Sequence, residues 1–289
     1  MRPEGEGMDE AARPGSAAPG SAAIVRTEAR DLDYDRYLAA LLSPADARAD
    51  LLTLAAFHGE IARIAFTVRE PTIGEIRLQW WRDALEAFAP AFDTGAPLAD
   101  AVRAMTLRAG LPVADLVAII DAYSGLLYPG ALADAAAVSA FADAGQGAAF
   151  RLAALRLAQT TSPRSGDEAA AGEALITAAG QAYGRVQLLR ALPALCALGR
   201  SPFGDGAVAG WQPALQPVMA EAREWLAKAR NASRTAPAYV LTAVLPVALV
   251  EPYLAALEKL GAEVASREAA ILPLSRVWRI FWARKRGRL

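Results

Sequence analysis

Cysteine and histidine are almost absent: Cys196 and His58 are the sole residues of their kinds in 289. One thiol excludes an internal disulfide framework and any cysteine-rich zinc site. No thiol–imidazole nucleophile pair is legible either, and His58 reads as a structural histidine. Aromatic residues make up only 7% of the chain, and β-branched strand formers are sparse beside alanine and leucine, which argues for an all-α protein. With a formal net charge of -1, no global field marks nucleic acid as a partner. Long apolar runs are missing too. A spanning helix needs about 18 apolar residues or more, whereas the longest stretch, Tyr239 to Val250, is short and holds Pro246. No basic start followed by an apolar run marks a secretory signal, and no glycine-rich phosphate loop follows a predicted strand. The expectation is a cytoplasmic protein without a transmembrane span, peripheral at most on the inner face of a membrane.

What is present is enough apolar material, 54% of the residues, to bury a large core. Residues 1–28 are rich in Gly, Pro, Ser and Ala and poor in large apolar groups, so they are expected to be disordered. At Ser43-Pro44-Ala45-Asp46 a helix start is predicted, with Ser43 as N-cap and Pro44 in the first turn. That helix runs to about Val68 and ends at Arg69-Glu70-Pro71. The next stretch, GEIRLQWWRDALEAF, puts Leu78, Trp81, Leu85 and Phe88 on one helical face and Trp80 with Ile76 and Ala84 on the adjoining arc. Further helices are predicted over 98–109, 113–127, 134–159, 167–192, 213–230, 238–259 and 264–283. Their short connections favour one helical domain, residues 29–285, with a basic tail at 286–289. Asp46 and Asp50, four apart in the first turns of their helix, read as partners of its positive end rather than metal ligands. Asp31, Asp33 and Asp35 read as a solvated acidic surface.

Three stretches carry a family resemblance. Residues 34–88, from YDRYLAALL through AAFHGEIARIAF to GEIRLQWWRDALEAF, resemble the opening helices of squalene/phytoene synthases. GQAYGRVQLLRALPALCALGR, 180–200, is similar to a later family helix, and LPVALVEPYLAALEKL, 245–260, to the final ones. The resemblance covers roughly residues 30–285 and implies the isoprenoid-synthase fold, a single helical bundle around a central pocket. It further implies two acidic motifs facing each other across that pocket, holding the magnesium that ionises a prenyl diphosphate. Hard divalent ions need several oxygen ligands. At the matching positions this chain has Ala62, Arg63 and Phe66 on one side and Ala191 and Leu195 on the other. Neither motif is present. The pattern is most similar to the branch of the family that includes complex I assembly factor 6 and its bacterial relatives.

The resemblance therefore implies a fold kept and diphosphate chemistry lost: a non-catalytic assembly or interaction factor, with a protein partner at the membrane and no cofactor. Two alternatives stand beside it. One is a prenyl diphosphate transferase with magnesium in a rearranged site that draws on Glu60 or Glu70. The other is a lipid- or isoprenoid-binding protein with a large apolar pocket. Pocket candidates are Glu60, Arg63, Arg77, Trp80, Trp81, Gln187 and Arg190, with Arg185 as a further partner for an acidic head. Independently, RVWRIFWARKRGRL at 276–289 interleaves Trp278, Phe281 and Trp282 with Arg284, Lys285 and Arg286 and contains no acid. Such a segment suits an anionic membrane surface.

Overall fold

The computed structural model describes residues 19–86, 94–161, 166–204 and 208–289. In chain order the elements are α1 (Pro19–Leu32), α2 (Tyr34–Leu41), α3 (Ala45–Thr67), α4 (Pro71–Glu86), α5 (Pro97–Ala109), α6 (Val113–Gly125) and α7 (Ala135–Phe141). A π-helical segment (Ala142–Gly147) joins α7 to α8 (Ala148–Ala158), and α9 (Gly166–Ala197) and α10 (Val208–Ala232) follow. The chain closes through α11 (Ala238–Ala243), a 3-10 segment (Leu245–Leu249), α12 (Val250–Leu260), a second 3-10 segment (Gly261–Ala265) and α13 (Pro273–Arg286). Among the described residues there is no strand, and none of their helices is long and apolar enough to cross a membrane.

Two helices organise the bundle. α3 is buried nearly all round, with Leu54, Ala55, Ala56, Phe57, Ile61 and Ile64 in the core, and packs against α1, α2, α5, α6 and α8. Its alanines let these neighbours approach closely. α9 packs along α10 and against the π segment. That second contact depends on missing side chains: a Cβ at Gly180 would lie 2.7 Å from Cα of Gly147, and one at Gly184 would lie 2.7 Å from Cα of Ala142. The close approach seats the π segment against α9 and buries Gln146 completely. Like many π bulges, this one aims a polar side chain into a cavity.

The structure departs from the sequence expectations at several points. Residues 19–28, expected to be disordered, belong to α1, whereas residues 1–18 of that segment lie outside the described residues. Val25 and Ala29, four apart on one helical face, are buried, and α1 packs against α3. A small apolar face gains burial from a neighbour that local composition does not show. Ser43 does not cap α3; its hydroxyl donates to the Ala40 carbonyl and so closes α2. Asp50 is buried rather than placed for the helix dipole. It accepts from Arg156 Nε at 2.5 Å and from Arg108, tying α3 to α8 and α5. The single helix expected over 134–159 is interrupted by the π segment, and that over 238–259 by the 3-10 turn at Pro246. α13 starts later than expected and runs through Arg286, so the basic tail begins inside its last turn.

Candidate functional site

A cavity of about 670 Å³ opens between the α1–α2 junction, α3, the π segment, α9 and the segment leading into α13. The cavity anticipated from the sequence was apolar, whereas this one is polar at its heart. Asp33, Asp35, Arg36, His58, Tyr123, Gln146, Tyr183, Arg190 and Arg276 reach it, beside Ala62, Phe66, Phe141 and Ala191. The local fold explains how. α1 ends where Leu32 meets the bare backbone of Gly59, since a Cβ there would lie 2.5 Å from that of Leu32. The chain then turns at Asp33, whose side chain accepts from the Arg36 amide as the N-cap of α2. The turn sets Asp33 against His58 of α3 and buries Asp35 against Tyr183 of α9 and Tyr253 of α12 instead of in solvent, correcting their reading as a solvated surface.

His58 joins two sides of the site. Its Nδ1 lies 3.2 Å from Asp33 Oδ2, and its Nε2 lies 3.0 Å from Gln146 Nε2 and 3.3 Å from the Tyr123 hydroxyl. The tautomer that satisfies both ends donates from Nδ1 to Asp33 and accepts at Nε2 from the Gln146 amide. Arg36 donates to Asp33 Oδ2 at 2.7 Å and to the Gln146 side-chain carbonyl, and lies 5.1 Å from the Phe150 ring centroid and 5.5 Å from that of Tyr183. A second group surrounds Asp35, which accepts from the hydroxyls of Tyr253 at 2.8 Å and Tyr183 at 3.0 Å. Arg276 and Arg190 approach the same carboxylate at 3.7 and 3.9 Å.

Burial and charge set the protonation of these groups. Burial, helped by the neighbouring Arg36 charge, pushes His58 down to about 4, so the ring is neutral at pH 7. For Asp33 burial acts upward, but the Arg36 charge and the hydrogen bond from His58 outweigh it and hold the carboxyl well below the usual range. The balance reverses at Asp35, where burial raises the pKa despite Arg190 and Arg276. Burial also raises Tyr123, Tyr183 and Tyr253, so all three remain hydroxyl donors at neutral pH.

The sequence candidates divide. Arg63, Gln187 and Arg190 line the cavity. Glu60 does not line it but accepts from Arg63 Nε at 2.7 Å. Arg190 is held by Gln187 at 2.8 Å and Glu268 at 2.6 Å, with its guanidinium 4.0 Å from the Tyr253 ring centroid. Trp81 is a core residue, edge-on to Phe57 at 5.3 Å, while Trp80 and Arg77 are exposed and lie outside the cavity. Arg185 is buried away from it, donating to Glu221, Gln181 and Ser139. The residues that sequence reasoning passed over are Asp33, Asp35, Arg36, His58, Tyr123, Gln146, Tyr183, Tyr253 and Arg276. One local signal was available: Asp33-Tyr34-Asp35-Arg36 places an N-cap acid three residues before an arginine. The other six residues come from six other elements and had no local mark.

The model of the squalene/phytoene synthase family matches residues 29–284. The chain belongs to this family. Among solved structures, a dehydrosqualene synthase covers 92% of this chain and 96% of its own, with a TM-score of 0.68 and 11% identity. A squalene synthase of Alicyclobacillus acidocaldarius covers 86% and 98%, with a TM-score of 0.58 and 15% identity. These likenesses show the isoprenoid-synthase-like helical fold. Among curated proteins, "NADH dehydrogenase (ubiquinone) complex I, assembly factor 6" of Homo sapiens is 38% identical over 84 residues, 29% of this chain and 25% of that protein. The Mus musculus counterpart is 40% identical over 76 residues, 26% of this chain and 23% of its own. The match thus spans about a quarter of the length of these relatives.

Within the family fold, the metal question turns on which groups face the cavity. α3 presents His58, Gly59, Ala62, Arg63, Phe66 and Thr67, and α9 presents Tyr183, Gln187, Leu188, Arg190, Ala191 and Ala194. Neither wall supplies a carboxylate. Four carboxylates from outside these walls line the cavity: Asp33 and Asp35 are engaged by Arg36, His58 and the two tyrosines, Glu268 by Arg190, and Asp31 stands exposed near the end of α1. No group of three or more His, Cys, Asp or Glu among the described residues is placed to hold a metal. This donor set does not fit a magnesium cluster, which needs several free oxygen ligands.

Proposed function

We propose that this protein is a non-catalytic member of the squalene/phytoene synthase family that acts as an assembly or interaction factor for a membrane-bound respiratory complex, NADH dehydrogenase. The observation that carries the loss of diphosphate chemistry is the pair of facing walls, α3 and α9, which bring alanines, phenylalanine and arginines to the cavity and no carboxylate. Ionising a prenyl diphosphate develops charge that metal ions must neutralise, and arginines already paired to Glu60 and Glu268 do not replace them. The partner class is supported by the relatives named as complex I assembly factors. Deleting the gene tests it: membrane NADH:quinone oxidoreductase activity should fall together with the assembled complex, and unchanged activity and assembly would refute the role. Purified protein given farnesyl or geranylgeranyl diphosphate with magnesium should release no diphosphate. Chelator-sensitive release would restore the enzyme reading with a rearranged metal site.

A second reading is favoured by the cavity itself. At about 670 Å³ it has the size of a small-molecule site, and Arg63, Arg190 and Arg276 stand around it. A lipid or isoprenoid with an acidic head would place that head among these arginines. Organic extraction of the purified protein followed by mass spectrometry tests this reading, and a protein free of stoichiometric lipid that also fails to bind added prenyl phosphates would remove it.

A further inference from the structure

α13 has two faces of different character. Ile280 and Ala283 are buried against the bundle, and Arg276 turns from the same side toward Asp35. Opposite them, Leu274, Val277, Trp278 and Phe281 stand at i, i+3, i+4 and i+7 and are exposed by 81, 42, 62 and 43%. Four large apolar side chains thus stand in one row with a large share of their surface exposed. Lys285 continues this row one turn later, and the exposed Arg279, Arg286 and Arg288 flank it. From residue 269 to the end there is no acid.

Beside this row lies a groove of about 570 Å³ formed with α10 and the first 3-10 segment. Arg230, Arg279, Arg286 and Arg288 line it together with Trp278 and Trp282, and no acidic side chain does. Arg286 and Lys285 lie over the Trp282 ring at 5.2 and 5.0 Å, and both residues are exposed. Arg230 pairs with Glu251 at 3.5 Å, but Arg279, Arg286 and Arg288 lie in a stretch of chain without acids. Cations of this kind, set around aromatic side chains at the edge of an exposed apolar row, complement phosphates that lie just above hydrocarbon.

We propose that α13 docks this protein on an anionic lipid surface, with Leu274, Val277, Trp278 and Phe281 entering the headgroup boundary and the arginine-lined groove taking lipid phosphates. The occupant is the bilayer rather than an acidic protein because both halves of the match are on one helix: an apolar row and a cationic collar around it. The inference goes beyond the assembly role and holds whichever complex is served.

Co-sedimentation of the full chain with phosphatidylcholine vesicles, with and without phosphatidylglycerol, tests it. Binding is expected only to the anionic vesicles and should weaken as salt is raised. Replacing the exposed cations together, as Arg279→Gln, Lys285→Gln and Arg286→Gln, should lower partitioning about a hundredfold, at roughly tenfold or less per cation near the surface. Trp278→Ala with Phe281→Ala should release the protein at unchanged charge, and because both side chains are exposed the fold should survive, as thermal melting would verify. No anionic-vesicle binding, or binding that survives both sets of substitutions, would overturn the proposal. Retention on a polyanion such as heparin, with no vesicle binding, would also overturn it and mark a generic anion face.

Discussion

His58 is the residue on which the protonation of the pocket turns, and it is the chain's one histidine, so its titration can be followed without interference. Its folded pKa of about 4 lies below the 6.5 of an exposed imidazole. Between these values the unfolded chain holds a proton that the native protein refuses, so stability falls as pH drops from 6.5 toward 4, by up to about 3 kcal/mol. Asp33 adds loss in the same direction lower down: its folded pKa is depressed, so the stability it contributes is present above 3.8 and is lost as pH falls through the folded value. Urea denaturation across this range should show the slope near pH 5 to 6, and His58→Gln should flatten that part. Asp33→Asn leaves Arg36 buried without its counter-charge, which should cost about 3 to 5 kcal/mol at pH 7. A loss under about 1 kcal/mol, the range of a surface ion pair, would show that water reaches Arg36.

Among the elements, the π segment and α9 make the sharpest case for backbone contact. Alanine is a better helix former than glycine by about 1 kcal/mol, so Gly180→Ala would stabilise an isolated α9. Here the new methyl would meet Gly147 backbone atoms at 2.7 and 2.9 Å, which cannot rotate away. Overpacking of this kind typically costs about 1 to 3 kcal/mol. A lower melting temperature is the expected outcome, and an unchanged or higher one would show that α9 and the π segment can separate freely. α1 offers a test of opposite origin. Val25 is 4% exposed on a helix whose sequence reads as too polar and small to order. Val25→Asp should destabilise the fold by about 2 kcal/mol or more, because an unpaired carboxylate would be buried against α3. At the far end of α3, Arg200 donates to the carbonyls of Ala65, Val68 and Arg69 at 3.1, 2.6 and 2.7 Å. Arg200, the last residue of the family stretch at 180–200, thus closes a helix terminus, where a cation opposes the negative end of the dipole.

For the whole molecule, the family bundle is retained and its cavity stays open, but the cavity's interior charges are paired with one another. Arg36 and Asp33 form one pair within hydrogen-bond distance, and Arg190 and Glu268 another. Arg276 contributes to this pocket from the inner face of α13, while the outer face of the same helix carries the exposed apolar row. A partner or surface that engages α13 therefore meets the element that forms one wall of the cavity.

The helical class, most helix spans and the family were legible from sequence because they rest on local composition, on periodicity and on stretches such as GEIRLQWWRDALEAF that are contiguous in the chain. Arg63, Gln187 and Arg190 were legible at the pocket for the same reason, each lying inside a family stretch. Trp81 in the core was legible from its row with Leu78 and Leu85, whereas Trp80 shows the limit: adjacent positions on a helix differ by about 100°, and the packing of α4 leaves Trp80 exposed outside the cavity. The polar heart of the cavity was decided by tertiary structure alone. Asp33, His58, Tyr123, Gln146 and Tyr253 come from distant parts of the chain, and each by itself reads as an ordinary surface or core residue. Burial turns them into one network, since a charge removed from water must find its partners wherever the fold supplies them.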